Sequence, residues 1–472
     1  MKQKNAMVWA LVLLVAGAGA AWATGYTWIG ATPGSWSVAG NWSPGGPPIA
    51  GDTATFTGTV NKTVNIATGG QAADAVNVTG SATWTWTTAA NTLTLGAGNL
   101  NYNASNTISS RSVFDAILAG NGGLRVNAGT LRIFNALNSY SGGVEVNGGI
   151  LLNGPANQWE AASSCDFGFG GIIIGSATPG SNNATLLIGG GNAAANWVTN
   201  AITIRAGNDG VARLGSWHCY PLTSYSYLKG PVTMAKALTL VNDEEQNRIN
   251  NTWDLFIRES CSFYVDGGVG GSGNLTKEGL GTIQLRGTNT YTGTTTIRGG
   301  TTYITWTNNS NTGNFTVEYG ALIVATNPSL GAVGNTLTLG GNGTFGAFGT
   351  TPYTGSGNYP LVPLPRAITL AGNGGILTTR GYYPRPQIDG TISGSGRLIL
   401  AFASAQNLRT HIHGNNTYSG GTIANNGYVD IVDAGALNNT VYGSGDVWVL
   451  RDGYLFVRGV NNINASAKVR LD

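Results

Sequence analysis

Apolar residues along this chain fall two apart. Val76 and Val78, Trp84 and Trp86, Leu93 and Leu95, Val144 and Val146, Leu238 and Leu240, Ile283 and Leu285, Leu337 and Leu339, and Ile368 and Leu370 each flank one polar residue. That is the period of a strand with one face buried. Almost no stretch shows helical spacing, and the apolar pairs are separated by glycine- and asparagine-rich turns. The pattern predicts an all-β chain of many short strands.

The pattern also repeats. Asn138-Ser139-Tyr140-Ser141-Gly142-Gly143 runs on to Leu152, Asn289-Thr290-Tyr291-Thr292-Gly293 to Tyr303, and Asn416-Thr417-Tyr418-Ser419-Gly420-Gly421 to Asp430. A turn precedes each copy: Gly120-Asn121-Gly122-Gly123-Leu124, Gly271-Ser272-Gly273-Asn274-Leu275 and Gly394-Ser395-Gly396-Arg397-Leu398. Units near 120–152, 271–304 and 394–431 result. Gly148-Gly149 and Gly299-Gly300 break the strand inside a unit, where a tight corner calls for positive φ. The third copy departs from the others. Thr422-Ile423-Ala424 is expected to shift its apolar residue by one place, and Asn426 stands where the others have glycine. Short strand, corner, short strand is the grammar of a β-solenoid.

Leu275 to Leu285 followed by Asn289 to Gly293 resembles the autotransporter-associated β-strand repeat of bacterial surface and secreted proteins. The resemblance implies a right-handed parallel β-helix and a surface or secreted passenger, and it implies no reaction. With roughly 20 to 25 residues per coil the chain would make roughly 18 to 22 coils. At about 4.8 Å per rung that is a rod on the order of 90 to 105 Å. Residues 24–58, with Trp28, Trp36, Trp42 and Phe56, resemble the start of other proteins carrying this repeat. They are assigned as an N-terminal cap, because an open first turn exposes core and strand edge. A carbohydrate-binding use of the three tryptophans is the alternative. Residues 59–472 make the β-helix. No cap or C-terminal membrane barrel is visible after residue 440, so the chain reads as a passenger fragment or as one whose capping is hidden, with a last coil open to self-association.

Residues 1–23 read as a signal peptide, with Lys2 and Lys4, an apolar run around Val8 to Val15, and small residues up to Ala23. Gly17 and Gly19 argue against a retained membrane anchor. Loss of the two lysines takes the net charge from +3 to +1, leaving no basic stripe for nucleic acid. Only 10% of residues are charged, against roughly 25% in ordinary globular proteins. Identical charges stacked on successive strands would repel, and Gly, Thr, Ser and Asn avoid this. Cys165, Cys219 and Cys261 allow at most one disulfide and read as small buried hydrophobes.

Three groups of residues could carry chemistry. Asp243, Glu244 and Glu245, beside Arg248, interrupt the strand pattern as a loop would. They are solvated charges, a calcium site, or, if they converge with a basic residue in a groove, the centre of a β-helix polysaccharide lyase or hydrolase. His411 and His413 lie on one face of a strand, but two imidazoles do not complete a zinc site; His218 stands apart from them. The aromatic segments Trp217, Tyr220, Tyr225 and Tyr227, and Tyr382 and Tyr383 with Arg385, break the strand rhythm. They either cover the rod's own apolar faces or bind glycans. No phosphate-binding or nucleophile-elbow motif occurs, and no cofactor is expected. The sequence thus reads as an exported, non-enzymatic β-solenoid serving as a cell-surface or extracellular rod, with a glycan-binding adhesin and a polysaccharide-cleaving enzyme as alternatives.

Overall fold

The computed structural model describes residues 23–88, 90–135, 137–154, 167–189, 191–192, 196–207, 209–217, 224–242, 262–305, 309–347, 361–379, 385–401, 409–413, 415–425, 427–432, 443–450, 453–458 and 466–471. Across these residues the chain winds as a parallel β-helix with three strand-bearing faces. One coil holds the strands Val269–Gly271, Leu275–Glu278 and Thr282–Leu285. The next coil lies 20 residues on, where the long strand Thr295–Ile304 pairs Leu275 with Thr295 and Thr282 with Thr301. It bends between the two pairings at Gly299 and Gly300, both at positive φ. Parallel pairing from Tyr26 to Leu471 carries the stack through roughly 18 coils, on the order of 85 Å at the rung spacing of strands.

Alternation decides what faces inward. Val76, Val78, Trp84, Trp86, Leu93, Leu95, Ile283, Leu285, Ile368 and Leu370 are all essentially buried in one core that runs the length of the rod. The lead-in glycines Gly120, Gly271 and Gly394 share φ of 104°, 103° and 106°. A Cβ on Gly120 would stand 2.0 Å from the Leu95 carbonyl oxygen one coil earlier. Glycine is needed there for both reasons.

The motif residues also point inward. Asn138, Asn289 and Asn416 each accept through Oδ1 from an amide of the preceding coil, that of Leu118 at 2.8 Å, Val269 at 3.2 Å and Ile392 at 2.7 Å. Tyr140, Tyr291 and Tyr418 are fully buried. The Tyr291 hydroxyl shares a 2.6 Å hydrogen bond with Thr295 Oγ1, and Tyr418 does the same with Thr422. Tyr140 is followed four places on by Val144, which has no hydroxyl, and its own hydroxyl is buried without a partner. The third copy keeps the frame of the others, contrary to the expected shift. Thr422 and Ala424 are buried, Ile423 is turned outward, and Leu398 pairs with Thr422 as Leu275 pairs with Thr295. The reason is chemical: the inward threonine serves the Tyr418 hydroxyl.

At the start of the rod, the short strand Trp42–Ser43 runs antiparallel to Gly25–Trp28 and covers its edge. Trp28, Trp36 and Trp42 pack around Phe56 with ring centroids 4.9 to 5.9 Å apart, Trp42 standing edge-on to the other three rings. Each is at most 3% exposed. Their expected alternative use as a sugar platform is therefore overturned, since a sugar needs an accessible ring face.

Candidate functional site

Outward-facing residues stack in columns, one per rung. Strands Asn196–Val198, Ser224–Leu228 and Ser262–Val265 are in register, so Trp197, Tyr227 and Tyr264 form one such column. Ser226 and Leu228 are buried while Tyr225 and Tyr227 alternate outward and stay half-buried. The rings of Tyr227 and Tyr264 lie 4.6 Å apart and 17° from parallel, close to the rung spacing itself. Tyr225 packs 5.6 Å from Tyr264. Arg286 closes the column from the next coil, its guanidinium 4.3 Å from the Tyr264 ring, and is held by a two-pronged ion pair to Asp266 at 2.8 and 3.0 Å. Lys229 Nζ lies 4.3 Å from the ring of Trp197. Burial raises the Tyr264 phenol above its ordinary pKa, with a hydrogen bond from Ser262 opposing. Faces of these rings are taken up by one another and by cations, which leaves edges and hydroxyls at the surface.

Trp217 does not stand out from the rod. It is 3% exposed, its Nε1 donates to the Asn153 carbonyl at 2.8 Å, and the guanidinium groups of Arg111 and Arg132 lie 5.3 and 5.8 Å from its ring. It packs with Leu152, Leu187 and Val241 in a second apolar cluster outside the main core. This corrects the expectation of an exposed sugar-stacking ring. The cause is that Gly149–Asn153, Ala184–Gly189 and Leu238–Asn242 are buried on both faces, as their near-continuous apolar runs allow.

His411 and His413 do share a face, with ring centroids 6.3 Å apart. His413 Nδ1 lies 3.0 Å from Asp389 Oδ1, which also accepts from Gln387 Nε2 at 2.8 Å. Among the described residues no three His, Cys, Asp or Glu side chains converge as a metal site would. Tyr220, Tyr382, Tyr383, Asp243, Glu244, Glu245, His218, Cys165, Cys219 and Cys261 lie outside the described residues. Arg385 is placed only by its backbone, at the start of strand Arg385–Ile388. Of the sequence-derived glycan residues, the structure therefore brings together Tyr225 and Tyr227, and sets Trp217 apart from them in its own buried cluster.

Tyr264, Asp266 and Arg286 escaped the sequence reading. Tyr264 alternates normally with Phe263, so nothing marked it as off-pattern. The signal that would have found the pair is the 20-residue separation of Asp266 and Arg286, the same as that of Asn289 and Asn309, which also bond across one coil.

Comparison with known proteins agrees with the repeat reading. Residues 133–152, 275–304 and 392–431 match the passenger-associated-transport-repeat family. Neither the curated proteins nor the solved structures compared with the chain give a match. No helix among the described residues is long and apolar enough to cross a membrane. The matched segments end at or near the last residue of each motif copy and contain the buried Asn and Tyr of all three copies, so over these three segments the chain is similar to passenger-associated-transport repeats.

Proposed function

We propose that the chain is an exported, non-enzymatic passenger whose β-helix serves as a stiff rod at the cell surface or outside the cell, with residues 1–23 as its export signal and residues 24–58 as its cap. The observation that supports this reading is where the repeat spends its chemistry. The asparagines that define the motif are buried and bonded to the preceding coil. Lys277, 2% exposed, gives its ammonium to the Gly279 and Gly299 carbonyls. Arg366, 3% exposed, is held by Asn327 Oδ1 and by the carbonyls of Asn327, Ala332 and Gly331. Polar groups committed to holding successive coils together stiffen a stack in which each repeat touches only its neighbours.

Negative-stain electron microscopy of the purified mature chain tests the proposal. Straight single rods on the order of 85 Å are expected. End-to-end filaments would move the function to self-association, and turnover of a polysaccharide substrate by the same preparation would overturn the non-enzymatic reading.

A further inference from the structure

One flank of the rod is notched. Strands Val144–Val146, Ile172–Ile174 and Ile202–Ile204 stack in register, so Glu145, Ile173 and Thr203 form an outward column. The corner before the first strand is Gly142-Gly143, before the second Gly170-Gly171, and before the third Ala201. With almost no side chains at three successive corners, a groove of about 340 Å³ opens beside the column, lined by Ser141, Glu145, Ile173, Ala201 and Thr203 along with the glycine backbones. That volume falls within the roughly 300 to 1,000 Å³ of small-molecule sites.

Charge and aromatic surface border this groove: Glu145 lines it and is paired to Arg125 and Arg205, and Phe169 directly precedes the lining Gly170 in the chain. Glu145 lies between two guanidinium groups, with Arg125 Nε 3.2 Å from Oε2 and Arg205 Nη2 3.3 Å from Oε1. One carboxylate against two guanidiniums leaves one positive charge without a partner in the triad. Each guanidinium carries five N–H donors and spends one on Glu145, so donors remain for a planar anion. Beside Gly170 stands Phe169, 80% exposed, its backbone pinned by an amide hydrogen bond to the Tyr140 carbonyl at 2.9 Å. The tyrosines of the outer column turn their rings to each other, whereas this ring is bare.

We propose that the groove binds a saccharide bearing a carboxylate, of the uronic-acid kind. The apolar face of a sugar ring lies against Phe169, whose negative π-face attracts polarised C–H groups. The sugar carboxylate meets the guanidinium of Arg205 or Arg125, and sugar hydroxyls bond to Glu145 and Thr203. This assignment stands or falls independently of whether the rod acts as a spacer.

The test is a glycan array, followed by calorimetry, on the full mature chain and three variants. Gly171→Gln fills the groove without backbone strain, because a Cβ there meets nothing closer than 3.6 Å and the residue is not in the left-handed region. Gly171→Gln and Phe169→Ala are each expected to weaken binding of an acidic oligosaccharide about tenfold or more, with circular dichroism unchanged. Arg205→Gln is expected to abolish the preference for the acidic over the neutral oligosaccharide. Absence of any acidic glycan bound by the parent chain, or undiminished binding by Gly171→Gln, would overturn the assignment.

Discussion

The three motif tyrosines have the same burial but different partners, which makes them a natural experiment in buried polar groups. Tyr291 bonds Thr295 inside the core, while Tyr140, with Val144 at the place of that threonine, has a buried hydroxyl without a partner. A buried hydroxyl with a partner contributes modestly, and one without a partner costs its desolvation. Tyr291→Phe is therefore expected to destabilise its coil by about 1 to 2 kcal/mol, and Tyr140→Phe to be neutral or to stabilise by up to about 1 kcal/mol. Val144→Thr, which restores the Thr of the other copies, should stabilise the parent but not the Tyr140→Phe chain. Amide hydrogen exchange in the affected coil is the suitable measurement, since a long repeat array need not unfold as one unit. The inward direction of each tyrosine follows from alternation; whether its hydroxyl is served depends on the residue four places on, a pairing visible only once both side chains are seen in the core.

Strands and corners set the rung-to-rung geometry. The Gly120 corner has positive φ and close carbonyl approach, so Gly120→Ala is expected to cost more than ~1 kcal/mol, while Gly171→Ala, with an open Cβ site, should cost far less. Exchange protection of the Leu124 and Val144 amides would report the difference. Outward columns follow a charge rule as well. Arg125 faces Glu145, Asp266 faces Arg286, and Arg298 faces Glu318, each pair 20 residues and one coil apart. The expectation that charges would be avoided was thus incomplete. Opposite charges on successive rungs are acceptable where identical ones repel, though exposed pairs of this kind each contribute only ~0–1 kcal/mol.

Across the whole molecule, the buried tyrosines make the rod sensitive to base. Burial pushes the Tyr291 phenol up to about 12 from 10.0, against the opposing bond to Thr295, and raises Tyr140 and Tyr418 as well. The unfolded chain loses these protons near pH 10 and the folded chain holds them longer, so the unfolded state binds fewer protons above pH 10. The stability they contribute is complete below pH 10 and falls as pH rises from 10 to about 12. Circular dichroism should show a steep alkaline transition, and one that does not shift upward in Tyr291→Phe would contradict this account. The sequence by itself determined the period-2 alternation and the glycine corners, because each is a local steric or solvation requirement written in consecutive residues. Only the tertiary structure decided which outward residues meet, since Glu145 is joined to Arg205 two rungs away and Trp217 to Asn153 across two coils. Those contacts depend on how many residues each coil consumes between corners, from 20 between Leu124 and Val144 to 37 between Val232 and Val269. Coil length varies with the loops, and no local pattern encodes it.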